Sequence, residues 1–215
     1  CMRDDALLGF PSPYEADCVY HHRYVFTLAH HKRMIASGSA PPPENYPWVD
    51  RIAKAVWRGT CTGRGVSQRA RLNVARLSKA HPTLVDMALF PCGVCASLLR
   101  SQPSLFGGER QGLAQAEYAK YKYVLDLDGD GCSGRLGKLF TTGAVVLKPW
   151  TAGYPFLYSA LEPWVHYVPV RSDLSDLVKR VAWLQEHDDD AARIGRAAAE
   201  WARTNLSPEA IDAYV

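Results

Sequence analysis

Three features are absent from this sequence: an apolar run long enough to cross a membrane, a basic run longer than three residues, and a recognisable signal peptide. The first absence predicts that this chain contains no transmembrane span. The formal net charge is only +3 over 215 residues, so we expect no nucleic-acid partner. The first five residues, CMRDD, are unlike a natural N-terminus, and we expect the chain to be a fragment.

A disulfide framework is also absent, since six cysteines in a chain of 215 residues are too few to make one. Cys92 and Cys95 form a CxxC motif that has no second pair, which makes it weak evidence for zinc. Three interpretations of the motif stay open: a redox pair, a local disulfide, or two unrelated thiols in a loop.

Short apolar runs alternate with amphipathic segments along most of the chain, which predicts an α/β fold with an open, mostly parallel sheet covered by helices. A triple proline divides a partial or divergent N-terminal segment, residues 1–45, from a single lobe, residues 46–215. Residues 91–108 are rich in Gly, Pro and Ser and are predicted to form a surface loop. The predicted strands are Ala55–Trp57, Leu84–Met87, Tyr123–Leu127, Ala144–Leu147 and Val165–Val170. The predicted helices are Ser67–Lys79, Glu109–Lys120, residues 134–141, Asp173–His187 and residues 188–205.

The central segment, residues 121–148, has the pattern of a strand, a glycine-rich turn, a helix and a second strand. Gly129, Gly131 and Gly134 lie in the turn, and Gly143 is placed to end the helix. Free N–H groups at such a turn, together with the positive end of a helix dipole, suit a phosphate or diphosphate. Arg135 adds a fixed positive charge and a bidentate donor. The segment therefore predicts an anion site.

The same segment matches other motifs in part. Asp126 and Asp128 resemble the DxDG signature of haloacid-dehalogenase-type phosphatases, with Asp126 as nucleophile and Asp128 as acid/base. A calcium-loop match fails because Gly137 replaces the bidentate glutamate. Residues 129–134 spell GxGxxG, but the next strand ends in Lys148 and not in an acidic residue. A DxD pair could also hold the metal of a transferase class that needs a different sheet topology.

Four segments in register together resemble glycosyltransferase family 90, which includes protein O-glucosyltransferases and capsule-associated xylosyltransferases. They are WRGTCTG at 57–63, LVD at 84–86, YKYVLDLDG with SGRL and LF between 121 and 140, and EPWVHYVPV with DLSDL between 162 and 177. The resemblance covers about residues 46–206. The upstream lobe of the family, with its catalytic aspartate, is mostly missing here. Asp4 and Asp5 match the segment of the catalytic aspartate only loosely, so the catalytic residue is unassigned.

The resemblance implies a Rossmann-like sheet, the donor lobe of a two-lobed GT-B glycosyltransferase. It implies an inverting transfer of glucose or xylose from UDP-glucose or UDP-xylose to a protein hydroxyl or a glycan acceptor. The base would be a carboxylate from the other lobe. Arginines would stabilise the departing UDP, so we expect no metal and no cofactor besides the donor substrate. The family works in the secretory pathway, which implies the endoplasmic reticulum or Golgi lumen.

The resemblance also assigns the candidate site. Donor diphosphate binding is expected from Arg58, Thr60, Thr62, Ser133, Gly134 and Arg135, and further donor contacts from Asp86, Asp128, Gly129 and Gly131. Two alternatives stay open, because Arg58 could pair with Asp86, and the two aspartates of the DxD motif could bond turn N–H groups. For the whole protein the alternatives are a phosphatase with nucleophile Asp126, and a non-catalytic, truncated donor lobe.

Overall fold

The computed structural model describes residues 46–63, 65–90, 94–103, 112–129, 133, 135–149, 160–207 and 209–210. The predictions made for the N-terminal segment, including Asp4 and Asp5, lie outside these residues. The predictions made for Gly131, Gly134 and Cys92 also lie outside the described residues. The boundary between residues 45 and 46 therefore stays a prediction.

A sheet of five strands, all of them parallel, forms the centre of the described part of the chain. The strands are β1 Ile52–Gly59, β2 Val85–Leu89, β3 Tyr121–Leu125, β4 Val145–Pro149 and β5 Val168–Val170, in the spatial order β2-β1-β3-β4-β5. Every residue of β3 and β4 is buried, as expected for central strands covered on both faces. The predicted parallel sheet is confirmed.

Helices cover both faces of this sheet. They are α1 Gly65–Ala80, α2 Val94–Ser101, α3 Leu136–Phe140, α4 Leu177–Glu186 and α5 Asp188–Asn205. Trp57 packs in a cluster with residues of α1, α2 and α4, whereas its neighbour Val56 packs with α3 and the C-terminal half of α5. Since successive strand residues point to opposite faces, the two clusters form the two halves of a three-layer domain. None of the described helices combines the length and apolarity that a bilayer crossing requires.

Three predicted elements differ from the structure. The predicted loop at 91–108 contains α2, because Cys95 and Leu99 at positions i and i+4 are both buried in the core. Asp173 does not begin a helix; its carboxylate accepts a hydrogen bond from the N–H of Ser175 at 2.9 Å, and α4 begins later. In the described half of the helix predicted at 109–120, a 3-10 helix forms over Gln115–Lys120.

Where α5 packs against the turn that follows α3, the residue at position 195 has no room for a side chain. A Cβ atom on Gly195 would lie 2.3 Å from the carbonyl oxygen of Gly143. Gly143 itself has φ +68°, the left-handed conformation that the sequence predicts for a glycine ending a helix. This close backbone contact helps to set the position of α5 relative to the start of β4.

The direction in which strands are added reverses at β1. The next strand, β2, lies on one side of β1, and β3 to β5 lie on the other side. In open parallel sheets the crevice at such a switch point, outside the carboxyl ends of the strands, is the usual ligand site. Here the crevice lies between the turn after Gly59 and the turn after Leu125, which are the two glycine-containing turns of the predicted site.

Candidate functional site

The turn after β1 presents two hydroxyl groups. Thr60 and Thr62 have their Oγ1 atoms 3.2 Å apart, and Thr62 is exposed. Gly63 follows with φ +107°, and a Cβ there would lie 2.6 Å from Ser67 Oγ, so this position requires glycine. The turn is therefore tight, and its hydroxyl groups face outward where a ligand can reach them.

A disulfide between Cys61 and Cys95 anchors this turn to α2. Both residues are almost fully buried, and their Cα atoms lie 5.5 Å apart, within the usual range for a disulfide. For Cys95, a redox or local pairing within the CxxC motif is therefore wrong. The reason is that the side chain of Cys61 points inward between two outward threonines and meets Cys95 on the buried side of α2.

Arg71, on α1, joins the turn after β1 to the turn after β3. Its guanidinium donates to the carbonyl oxygen of Thr60 at 2.9 Å and to Thr62 Oγ1 at 3.1 Å. On the other side it donates to the carbonyl oxygens of Leu127 at 2.9 Å and Asp128 at 2.7 Å. The residue is buried, and a guanidinium with its donors directed at fixed acceptors holds both turns in place.

Sequence reasoning missed Arg71. The residue lies on the buried face of α1, three positions before Val74 and four before Ala75. An arginine within an apolar helical stripe needs hydrogen-bond acceptors inside the fold. The spacing of Arg71 from Val74 and Ala75 was therefore the signal in the sequence that could have identified it. The identity of the acceptors, however, depends on contacts across the sheet.

A buried ionic network holds the turn after β3. Lys148 Nζ lies 2.9 Å from Asp126 Oδ2 and 3.2 Å from Asp128 Oδ1, and Asp126 and Lys148 are almost fully buried. The N–H of Ser133 donates to Asp128 Oδ1 at 2.9 Å, and the Ser133 hydroxyl bonds Asp126 Oδ1. Burial alone would lower the pKa of Lys148, but the attraction of the two aspartates outweighs it and raises that pKa.

These contacts support the structural role that the sequence left open for the two aspartates, since Asp128 accepts a turn N–H. They also argue against the phosphatase alternative. Asp126 has no exposed surface, and its two carboxylate oxygens are occupied by Ser133 and Lys148. A nucleophile needs an open approach to the phosphorus atom, and this carboxylate has none.

Arg58 forms the ion pair with Asp86 that was the alternative to phosphate binding. Its Nη2 lies 2.8 Å from Asp86 Oδ1, and its Nη1 donates to the carbonyl oxygen of Asp86 at 2.6 Å. The other carboxylate oxygen of Asp86 accepts from Tyr121 at 2.8 Å. Arg58 Nε is buried and has no hydrogen-bond partner among the described residues. Diphosphate binding by Arg58 stays a prediction.

Arg135, the residue before α3, contacts the end of β1. Its Nη1 donates to the carbonyl oxygen of Arg58 at 2.7 Å and lies 3.4 Å from the hydroxyl of Tyr118, and its guanidinium lies 5.8 Å from the ring centre of Trp57. Burial raises the pKa of Tyr118, and the charges of Arg135 and Arg58 partly offset this rise. The helix that follows, α3, has only five residues, so the side chain of Arg135 has to supply most of the positive potential.

The structure thus brings five of the predicted residues to one crevice: Thr60, Thr62, Gly129, Ser133 and Arg135. The two turns also touch, because a Cβ on Gly129 would lie 3.3 Å from Thr62 Oγ1. Hydroxyl groups and a half-buried guanidinium can bind an anion there. No cluster of three metal-ligating side chains occurs among the described residues.

Residues 39–215 match the family model described as glycosyl transferase family 90. Protein O-glucosyltransferase 2 of Danio rerio is 34% identical over 167 residues, which cover 78% of this chain and 32% of the relative. Protein O-glucosyltransferase 3 of Homo sapiens is 31% identical over 167 residues, covering 78% of this chain and 31% of the relative. The chain spans about a third of the length of these curated relatives.

Solved glycosyltransferases share the fold. TarM superposes with a TM-score of 0.55 at 16% identity, covering 79% of this chain and 35% of TarM. Anabaena Alr3699/HepE, solved in complex with UDP-glucose, gives a TM-score of 0.55 at 14% identity, covering 87% of this chain and 50% of that protein. At these identities the likeness concerns the fold alone, and it confirms the predicted Rossmann-like, GT-B type of lobe.

Proposed function

Because the chain belongs to glycosyl transferase family 90, we propose that it forms the donor-binding lobe of a transferase that uses UDP-glucose or UDP-xylose. The reaction would be an inverting transfer to a protein hydroxyl or a glycan acceptor, with the base supplied by a part of the protein outside this lobe. The two curated relatives described above are named protein O-glucosyltransferases, and Alr3699/HepE was solved with UDP-glucose, which supports this class of donor.

The observation that carries the proposal is the β1–β3 switch point, where the turn with Thr60 and Thr62 touches the turn after β3 and Arg135 bonds the carbonyl oxygen of Arg58. The donor diphosphate would lie against the two threonines and Arg135, with the guanidinium directed at its oxygens. As the bond to the sugar breaks, negative charge develops on the departing UDP. A cation already fixed in place stabilises that charge without further reorganisation. The unpartnered Nε of Arg58 points to a second, weaker contribution.

Such a site needs neither a metal ion nor a cofactor, because the arginine provides the compensating positive charge. The two aspartates of the DxD motif would not hold a cation in this arrangement. They share Lys148, whose ammonium group already occupies the space between them.

A second candidate function is a donor lobe that binds nucleotide without turnover. The favouring observation is that the described carboxylates near the crevice are paired, since Asp126 and Asp128 share Lys148 and Asp86 pairs with Arg58. A turnover assay of this chain with UDP-glucose and UDP-xylose separates the two candidates, because UDP-sugar hydrolysis or transfer occurs only if the catalytic groups are complete.

We also propose that the protein works in the lumen of the endoplasmic reticulum or Golgi, as the family resemblance implies. The buried disulfide between Cys61 and Cys95 supports this location, because disulfides persist in oxidising compartments and are rare in the cytosol.

The decisive experiment is isothermal titration of UDP into the chain, first in EDTA and then in magnesium, with Arg135→Ala as the test variant. We expect metal-independent binding by the wild type and a loss of affinity of about 100-fold in the variant, typical of removing a charged hydrogen-bond donor. Arg196→Ala, an exposed position on α5, is the matched control and should bind as the wild type does. Unchanged affinity in Arg135→Ala, or binding that requires magnesium, would contradict the proposed site.

A further inference from the structure

The hydroxyl group of Ser133 has a single proton, and the protein already uses it. Its oxygen lies against Asp126 Oδ1. An ionised carboxylate only accepts hydrogen bonds, so the serine must be the donor in this pair. The sequence-based assignment of the Ser133 hydroxyl as a phosphate donor therefore meets a chemical obstacle.

Asp126 is held as an acceptor from both sides. Lys148 Nζ donates to its other carboxylate oxygen at 2.9 Å, and the backbone N–H of Asp126 is fixed by the carbonyl oxygen of Leu147 at 3.0 Å. The second carboxylate, Asp128, takes the N–H of Ser133 at 2.9 Å and a further contact from Lys148 at 3.2 Å. Each oxygen of Asp126 thus has its own donor, and the orientation of the Ser133 proton is set by the network behind it.

The serine oxygen keeps acceptor capacity after its proton has been donated to Asp126. Its contact with the N–H of Arg135 is long, at 3.4 Å, and the residue is only partly buried. Phosphate oxygens are themselves acceptors and do not match this group, whereas the hydroxyl group of a sugar or a ribose does.

The threonines of the β1 turn differ in this respect. Thr60 and Thr62 bond each other, which uses one of their two hydroxyl protons and leaves the second for a ligand acceptor. One wall of the crevice therefore offers a hydroxyl donor, and the other wall offers a hydroxyl acceptor.

We propose that Ser133 is a specificity residue that accepts a hydrogen bond from a hydroxyl group of the bound nucleotide-sugar, while the diphosphate is bound by Arg135 and the β1 turn. This inference rests on the proposed function. The hydroxyl can belong to the ribose or to the transferred sugar, and the two sources give different results in the experiment below.

The test is a titration series with the wild type, Ser133→Ala and Thr62→Val. The ligands are UDP, 2′-deoxy-UDP, 3′-deoxy-UDP, UDP-glucose and UDP-glucose analogues that each lack one sugar hydroxyl. We expect Ser133→Ala to lose about tenfold in affinity for ligands that carry the recognised hydroxyl and nothing for the analogue that lacks it. A ribose contact shows this pattern with UDP, and a sugar contact shows it only with UDP-glucose. Thr62→Val should weaken all the ligands to a similar extent.

Equal losses for every ligand in Ser133→Ala would show a phosphate contact and overturn the inference, and so would the absence of any loss. The proposed function stands in both cases, because the wild type still binds. A wild type that binds neither UDP nor UDP-glucose would overturn both. If Ser133→Ala fails to fold, the ligand series on the wild type still tests the inference: the deoxy analogue that lacks the recognised hydroxyl should bind more weakly than its parent, and equal affinity for every analogue and its parent would overturn it.

Discussion

The two turns that form the crevice hold their shape by different forces. The turn after β1 is fixed by a disulfide to α2 and by the guanidinium of Arg71, and its side chains at the crevice are neutral hydroxyl groups. The turn after β3 shares Arg71, which bonds its backbone carbonyl oxygens, and is otherwise fixed by two carboxylates that share one lysine. Although both turns follow a central parallel strand, one is held covalently and the other by buried charge.

This difference leads to an expectation about where an anion would bind. The supports of the β1 turn add no negative charge, whereas the β3 turn contains two aspartates against the single ammonium of Lys148. A diphosphate is repelled by the uncompensated carboxylate charge and attracted by the guanidinium groups. We therefore expect the diphosphate to lie nearer the β1 turn and Arg135, with the hydroxyl-bearing parts of the donor nearer the β3 turn.

The largest expected effect comes from removing the charge that supports the β3 turn. Lys148→Met leaves two buried carboxylates without their cation, and we expect the free energy of unfolding to fall by about 3–5 kcal/mol. Chemical denaturation measures this loss. The double variant Lys148→Met/Asp126→Asn should recover part of it, because one buried charge has been removed. Lys179→Met, at an exposed position on α4, is the control. Equal stability of Lys148→Met and the control would contradict the network.

The second effect concerns the covalent support of the β1 turn. Cys61→Ala removes a crosslink between residues 34 positions apart, and loop-closure entropy predicts a loss of about 3–4 kcal/mol. Denaturation with and without reductant measures this loss. Cys92→Ala is the matched control, because a disulfide within the CxxC motif would be lost there, whereas the Cys61–Cys95 bond survives. Peptide mapping that finds Cys92 joined to Cys95 would contradict the structure.

The smallest effect concerns the group that joins the two turns. Arg71→Lys keeps the charge but cannot reach all four acceptors at once, so we expect a loss of about 1–3 kcal/mol in stability and weaker UDP binding. Denaturation and UDP titration measure the two effects. Arg69→Lys, at an exposed position on the same helix, should change neither. If Arg71→Lys binds UDP as tightly as the wild type, the two turns do not depend on this guanidinium for their shape.

Local signals in the sequence predicted most of the fold. Runs of apolar β-formers identify buried strands without knowledge of their neighbours; the strand predicted at Tyr123–Leu127 is present, two residues earlier, at Tyr121–Leu125. Gly143 ends its helix by its own conformational freedom. The helix α2 was missed because the glycines, prolines and serines around it are typical of loops. Its buried positions, such as Leu99, are explained only by the sheet against which they pack.

The candidate site was predictable in its residues but only partly in its contacts. Arg135 was predicted because it begins a helix after a glycine-rich turn, and the threonines were assigned through the family resemblance of the WRGTCTG segment. The partners that fix them lie far away in the chain: Arg71 is 57 positions from Asp128, and Cys61 is 34 from Cys95. Such pairings depend on the strand order, and a single sequence does not determine which of several nearby carboxylates or thiols meets a given group.

The contact between Gly195 and Gly143 has a consequence for the tolerance of the chain to mutation. In a saturation scan read out by folded protein, every substitution at Gly195 should be depleted, alanine included, because the obstacle is a backbone oxygen that no rotamer avoids. Gly65 has no atom within 4 Å of its would-be Cβ, but its φ of +56° lies in the left-handed region. Asparagine and aspartate should persist there, while β-branched residues disappear. The two glycines would thus give different results in the same experiment. A steric clash excludes every substitution at Gly195, whereas the backbone φ angle limits which residues are tolerated at Gly65.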